Sequence, residues 1–138
     1  MFECLILGDS IAVGTAREIN AHVAFRCEVV AIERATASQI LSWRKPNRFY
    51  GAAVLAVGSN DEPGTALLNK LSDLRRSISS RRVIWLLPYS RARAYLVNSV
   101  AISFGDESVD LSRFSTRDQI HTSRYRDVAD TLLKRRPS

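Results

Sequence analysis

The chain has 138 residues, of which 46% are hydrophobic and 25% are charged. This length and composition favour one globular domain spanning 1–138 and argue against a disordered chain. The apolar run at 2–7 is too short to span a membrane and lacks the basic flank of a signal peptide, so we expect a cytoplasmic protein without a membrane anchor, with secretion of a processed form as the alternative. The net charge of +6 comes from arginines spread over several segments without interleaved aromatic residues. A solvated basic surface is therefore favoured over nucleic-acid binding.

Short apolar runs alternate with stretches of helical periodicity along the chain. In chain order, the predicted elements are strand 4–7, helix 11–20, strand 28–32, helix 36–43, strand 52–57, helix 65–80, strand 83–87, helix 91–104, strand 109–111 and helix 124–135. Five strands that alternate with helices predict an α/β fold with a parallel five-stranded sheet. Functional groups of such sheets lie at the carboxyl ends of the strands, which here means the loops at 8–11, 33–36, 58–64, 88–91 and 112–123.

The chain has two cysteines, Cys4 and Cys27. One pair is not a disulfide framework, and its spacing matches no zinc motif. We therefore expect two buried free thiols in neighbouring strands. The sequence predicts no metal site and no cofactor.

Gly8, Asp9 and Ser10 follow the first strand directly. A serine at the start of a helix lies beside unpaired backbone N–H groups, where the helix dipole favours negative charge. Asp and Ser are also frequent helix N-caps, so this motif alone indicates a cap more readily than a nucleophile.

Gly58, Ser59, Asn60 and Asp61 follow the third strand. Gly58 permits a tight turn, and the side-chain amide of Asn60 can donate to a developing oxyanion. Asn and Asp are common in strand-to-helix turns, so this motif by itself equally fits a simple turn.

Asp118 and His121 lie in the last loop before the final helix. An aspartate three residues before a histidine can meet it in a tight turn and fix the tautomer of the imidazole. Alone, the pair also fits a surface loop. Together, the three motifs supply a nucleophile, a base, an orienting carboxylate and an oxyanion donor at one edge of the sheet.

The three motifs resemble sequence blocks of the SGNH hydrolase superfamily, also called the GDSL esterases and lipases. Residues 5–14 resemble its first block. Gly58, Asn60 and Asp61 resemble its G-x-N-D block, and Asp118 with His121 resembles its D-x-x-H block. The resemblance spans nearly the whole chain and keeps the order of the family.

This resemblance implies a flavodoxin-like three-layer α/β/α sandwich. It also implies a triad of Ser10, His121 and Asp118. The implied oxyanion hole combines the Ser10 backbone N–H, a backbone N–H of the second block and the Asn60 side chain. Gly8, Asp9, Gly58 and Asp61 are the supporting residues of these blocks.

Two positions depart from the family pattern. Arg34 stands where the second block has a glycine, unless the alignment shifts by one and places Ala35 there. The backbone N–H of Arg34 can still complete the oxyanion hole if its φ suits a residue with a Cβ. Its guanidinium is a hypothetical binding group for a carboxylate or phosphate on an acidic substrate. Thr122 replaces the proline that often follows the histidine, and we expect it to loosen the last loop.

The loops around the predicted site are short and leave no room for a lid or an acyl tunnel. We therefore expect a hydrolase of short-chain esters, acetyl esters above all, on a larger alcohol such as a carbohydrate. One alternative is a thioesterase or a lysophospholipase-type acyl hydrolase. Another is a binding module that kept the fold and lost turnover, which Arg34 favours. The sequence does not predict the oligomeric state.

Overall fold

Residues 4–21, 27–43 and 48–134 are described in the computed structural model, and within them strands and helices alternate. The elements are β1 (Cys4–Gly8), α1 (Ser10–Asn20), β2 (Glu28–Ala31), α2 (Ala37–Ser42), β3 (Phe49–Ala56), α3 (Thr65–Arg76), β4 (Ser79–Leu87), α4 (Arg91–Ser103), β5 (Glu107–Asp110), a 3-10 helix (Leu111–Arg113) and α5 (Tyr125–Lys134). Within the described ranges, no helix has the length and apolar character needed to cross a membrane.

All strand pairs of the sheet are parallel, in the order β2-β1-β3-β4-β5. This is the strand order of flavodoxin-like folds, and it confirms the predicted parallel α/β architecture. Gly8 pairs with Ala31 of β2 on one side and with Ala56 of β3 on the other. The carboxyl ends of these three strands therefore lie at one level, and the loops that follow them are neighbours.

The two faces of the sheet are covered by different helices, which makes three layers. Successive side chains of a strand point to opposite faces. In β1, Leu5 and Leu7 belong to the core under α2, α3 and α4, whereas Cys4 and Ile6 belong to the core under α1 and α5. Burial on both faces explains why β1 and β3 are apolar without alternation.

The junction of α3 and β4 differs from the sequence prediction of one helix over 65–80. The helix ends earlier, where the backbone N–H of Ser77 donates to the Leu74 carbonyl. The chain then turns into β4, and Ser79 pairs with Phe49 at the start of β3. Pairing with a neighbouring strand outweighed the helical periodicity here. The other bounds shift by a few residues, and Arg135, the predicted end of the last helix, lies outside the described residues.

Cys4 and Cys27 form a disulfide, with their Cα atoms 4.8 Å apart. The expectation of free thiols is therefore wrong. The reason is the register of the sheet: Leu5 pairs with Glu28, which brings the preceding residues of both segments side by side.

Candidate active site

Ser10 lies where β1 passes into α1. Asp9 is the N-cap of this helix, and its Oδ1 accepts a hydrogen bond of 3.0 Å from the Ile11 N–H. Ser10 is therefore the first helical residue, and it is half-buried. The turn requires Gly8, since a Cβ there would lie 2.0 Å from the carbonyl oxygen of Ala56 in β3. The close approach of β1 and β3 thus fixes the position of Ser10.

Three side chains form a continuous hydrogen-bonded chain at this edge of the sheet. Ser10 Oγ lies 2.8 Å from His121 Nε2, and His121 Nδ1 lies 2.8 Å from Asp118 Oδ2. Because an ionised carboxylate only accepts hydrogen bonds, Nδ1 carries the proton of the neutral imidazole. Nε2 is then the acceptor of the Ser10 hydroxyl proton. The geometry can therefore withdraw a proton from Ser10.

A tight turn brings Asp118 and His121 together. Asp118 Oδ1 accepts the backbone N–H groups of Ile120 at 2.9 Å and His121 at 2.7 Å. Gln119 between them has a φ of +62°, a left-handed conformation that lets the chain fold back. The hydrogen bond from the His121 ring, followed by these two backbone bonds, holds the pKa of the Asp118 carboxyl well below its usual range. Asp118 is thus an anion whose orientation suits the imidazole.

The loop that carries His121 is anchored on both sides. Thr116 and Thr122 form an isolated antiparallel bridge, and the Ser123 N–H donates to the Ser115 carbonyl at 2.8 Å. Thr122 is buried, and its hydroxyl donates to the same carbonyl at 3.4 Å. At the position where a proline often stands in the related sequence block, Thr122 thus attaches the loop to Ser115.

The loop after β2 places Arg34 beside Ser10. Arg34 has a φ of +64°, the left-handed region that glycine occupies at low cost. The Ala35 N–H donates to the Ile32 carbonyl at 3.3 Å, whereas no acceptor among the described residues takes the Arg34 N–H. Of the two alignments, the one that matches Arg34 with the family's glycine agrees with this backbone.

The loop after β3 is tied to the loop after β2. The Asn60 side-chain amide donates to the Ala35 carbonyl at 3.0 Å, and both carboxylate oxygens of Asp61 accept the Ala37 N–H at 3.0 Å. Gly58 has a φ of +110° where this loop leaves the sheet. No hydrogen bond joins Asn60 to Ser10 among the described residues. One amide hydrogen of Asn60 thus holds the loop after β2, and the second has no acceptor among the described residues.

Asp9 is completely buried directly behind the serine. Its Oδ1 is bonded to the Ile11 N–H, but its Oδ2 has no hydrogen-bond partner among the described residues. Burial raises the pKa of this carboxyl from 3.8 to about 7, although the Ile11 N–H and the nearby His121 act in the opposite direction. Asp9 is thus a titrating group of the structural frame rather than an exposed catalytic acid.

A cavity of about 270 Å³ opens beside Ser10 and His121. Its walls come from α1, from the loop after β2 and from α5, with Arg34 and Tyr125 among the lining residues. A second cavity of about 140 Å³ is lined in part by Gln119 and Ile120. Of these two cavities, the larger one is lined by triad residues, Ser10 and His121.

The larger cavity is also lined by three residues outside the motifs identified in the sequence: Arg17, Glu33 and Tyr125. A usable signal existed for Arg17, because it follows Ser10 by seven residues, which is two helical turns on the same face of α1. Tyr125 gave no such signal. Its ring lies against α1, and a Cβ at Gly14 would come within 2.6 Å of it.

Known proteins resemble this chain in fold but not in sequence. No protein-family model matches the chain, and no curated protein matches its sequence. The native aryl esterase of M. smegmatis is 12% identical, with 96% of each chain covered and a TM-score of 0.65. The inhibitor-bound form of the M. smegmatis aryl esterase is 13% identical over the same share of each chain, with a TM-score of 0.63. At this identity the likeness establishes that the chain has the fold of these esterase structures.

Proposed function

We propose that the protein is a serine hydrolase that cleaves short-chain carboxylic esters. The observation that carries this proposal is the chain of two 2.8 Å contacts from Ser10 through His121 to Asp118. A nucleophile, a base and an orienting carboxylate in this arrangement are the requirements of acyl transfer through a covalent intermediate. The fold likeness to an aryl esterase supports the same reaction class.

In the proposed reaction, Ser10 Oγ attacks the ester carbonyl while His121 Nε2 takes the hydroxyl proton. Asp118 stabilises the imidazolium that forms. His121 then gives the proton to the leaving alcohol. The alcohol departs, and the acyl group remains bound to Ser10. Water attacks the acyl-enzyme in the same way and restores the serine.

The oxyanion of the tetrahedral intermediate is assigned to three donors in this proposal. They are the backbone N–H groups of Ser10 and Arg34 and the side-chain amide of Asn60. The N-terminus of α1 adds its dipole at the same point. Removing one such donor typically lowers kcat by about 10²- to 10³-fold.

The openness of the site supports small acyl groups. The side chains of His121 and Asp118 are 41% and 52% exposed, so no lid covers them in the described part of the chain. We propose acetyl esters as the preferred substrates, on a larger alcohol such as a carbohydrate. Because the structurally similar M. smegmatis protein is an aryl esterase, aryl esters are a further class to test.

The test compares 4-nitrophenyl esters of two, four and eight acyl carbons on the wild type and on Ser10→Ala. We expect hydrolysis that declines with acyl length, and a loss of about 10⁴-fold or more in kcat for Ser10→Ala. Ser42→Ala removes an exposed hydroxyl at the end of α2 and is the matched control. A fluorophosphonate probe should label Ser10 in the wild type. Intact folding without labelling or turnover would contradict the proposal and favour a binding module.

A further inference from the structure

The larger cavity beside Ser10 contains two cationic side chains from different elements. Arg17 comes from α1, two turns after the serine, and Arg34 comes from the loop after β2. Both residues are exposed to solvent. Glu33 contributes a carboxylate to the same cavity. Two cations therefore face one anion in a space that adjoins the nucleophile.

Neither arginine forms an ion pair with a carboxylate of the described residues. By contrast, three other arginines each donate hydrogen bonds from two guanidinium nitrogens to one carboxylate. These pairs are Arg75 with Asp106, Arg82 with Glu107 and Arg91 with Asp110. The guanidinium groups of Arg17 and Arg34 are therefore not engaged by a carboxylate of the described residues.

The backbone of Arg34 supplies a second argument. A residue with a Cβ at φ +64° is strained relative to a right-handed conformation, and glycine avoids this strain. Such strain is concentrated at sites where the side chain or its orientation has a function. The strained residue is Arg34, and it lines the cavity beside Ser10.

The geometry points to recognition of an anionic group on the ester: Arg17 and Arg34 bind a carboxylate or phosphate of the substrate in the cavity beside Ser10. This inference rests on the proposed ester hydrolysis and names its substrate class. A planar guanidinium suits both anions because it donates two parallel hydrogen bonds. A cavity of about 270 Å³ accommodates a small anionic group rather than a long chain.

The experiment compares anionic esters with neutral counterparts of similar size. 3-Acetoxybenzoate and 3-acetoxyphenyl phosphate carry the anion, and 3-acetoxybenzamide is the neutral counterpart. A second pair, 4-nitrophenyl hemiglutarate and its methyl ester, places the charge on the acyl side. The quantity compared is the ratio of kcat/KM for the anionic and neutral esters, since dividing by the wild-type ratio cancels their intrinsic reactivities.

We expect this ratio to fall about three- to fivefold in Arg17→Gln and in Arg34→Gln, and to fall further in the double variant. Glu33→Gln should raise the ratio, because it removes the opposing carboxylate. Arg81→Gln changes an exposed arginine at the amino-terminal half of β4 and should leave the ratio unchanged. Added NaCl should lower the wild-type ratio through screening. Arg34→Gly keeps the left-handed backbone and serves as a second variant should Arg34→Gln unfold.

Two failures are distinguishable. If neutral esters are hydrolysed but the ratio does not respond to Arg17, Arg34 or Glu33, the inference is wrong and the ester hydrolase stands. If no ester is hydrolysed, calorimetric titration of Ser10→Ala with 3-acetoxybenzoate and 3-acetoxybenzamide decides the question. Equal affinities would overturn the anion site, and tighter binding of the benzoate that depends on Arg17 would support it without turnover.

Discussion

Ser10 and His121 are separated by 111 positions in the chain, yet Ser10 Oγ lies 2.8 Å from His121 Nε2. The serine is fixed by the first strand and helix, and the histidine by a loop that precedes the last helix. Helices α1 and α5 pack on the same face of the sheet and share one core. The contact between the two side chains therefore depends on the packing of the first and last helices.

Asp118→Asn should lower kcat by about 10⁴-fold, because an amide cannot hold the imidazole in the tautomer that accepts the serine proton. Triad members act as a unit, so adding this change to Ser10→Ala should cost little more. Rates with 4-nitrophenyl acetate test both expectations. The control is Asp73→Asn, which changes an exposed carboxylate on α3. A loss below tenfold in Asp118→Asn would refute the orienting role.

Asn60→Ala should lower kcat by about 10²- to 10³-fold and leave KM nearly unchanged, because an oxyanion donor acts in the transition state. Asn60 also donates to the Ala35 carbonyl, so circular dichroism must show an unchanged fold. Asn69→Ala, on the exposed face of α3, is the matched control. A rise in KM with an unchanged kcat would indicate a binding role instead.

Asp9 gives a pH dependence of stability whose sign follows from its raised pKa. The native carboxyl titrates at about 7, compared with an ordinary value of 3.8. Between these values the folded state holds a proton that the unfolded chain has lost, so stability contributed by Asp9 falls as pH rises through this window. Asp9→Asn keeps an acceptor for the Ile11 N–H and removes the charge.

Thermal unfolding of the Asp9→Asn variant between pH 4.5 and pH 8.5 tests this expectation. Its Tm should match the wild type near pH 4.5 and exceed it above pH 7. In Asp73→Asn, the difference from the wild type should stay constant over the same range. Parallel curves for the wild type and Asp9→Asn would contradict a buried titrating carboxyl.

Gly8→Ala should destabilise the protein by several kcal/mol, because the new Cβ would lie 2.0 Å from the Ala56 carbonyl oxygen. Gly105→Ala is the control: Gly105 also has a positive φ, of +71°, but no atom lies within 4 Å of the added Cβ. We expect it to cost about 1 kcal/mol. Urea unfolding measures both, and equal losses would show that the contact with β3 is unimportant.

The disulfide should contribute about 3 kcal/mol, since its partners are 23 positions apart and it restricts the unfolded chain. Cys27→Ser should therefore lower Tm, and reducing agent should lower the Tm of the wild type to the same extent. Reducing agent should have no effect on Cys27→Ser. Additive effects of the two treatments would contradict a bridge between Cys4 and Cys27.

The strands and most helices were predictable because a sheet buried on both faces leaves apolar runs in the sequence. The end of α3 was not predictable, since Ile78 continues the helical spacing and only pairing with β3 shows that a strand begins at Ser79. The disulfide between Cys4 and Cys27 was not predictable for a similar reason. Whether Cys4 meets Cys27 depends on the register between β1 and β2, which periodicity does not contain.

The candidate site likewise contains residues that the sequence predicts and residues that it does not. Ser10, Asp118 and His121 carry their chemistry in residue type and spacing, and the structure brings them into contact. Tyr125 could be recognised as a cavity residue only once the structure placed α5 against α1. The residues of a cavity formed by several elements are hard to predict from the sequence of any one element.

The left-handed backbone at Arg34 has opposite consequences for the stability of the loop and for the proposed selectivity for anionic esters. Glycine at this position would relieve the conformational strain and remove the guanidinium together. A library selected only for heat resistance should therefore enrich Arg34→Gly, whereas a library selected for turnover of charged esters should retain the arginine. Arg34 thus combines a strained loop backbone with a positive charge in the cavity that Ser10 lines.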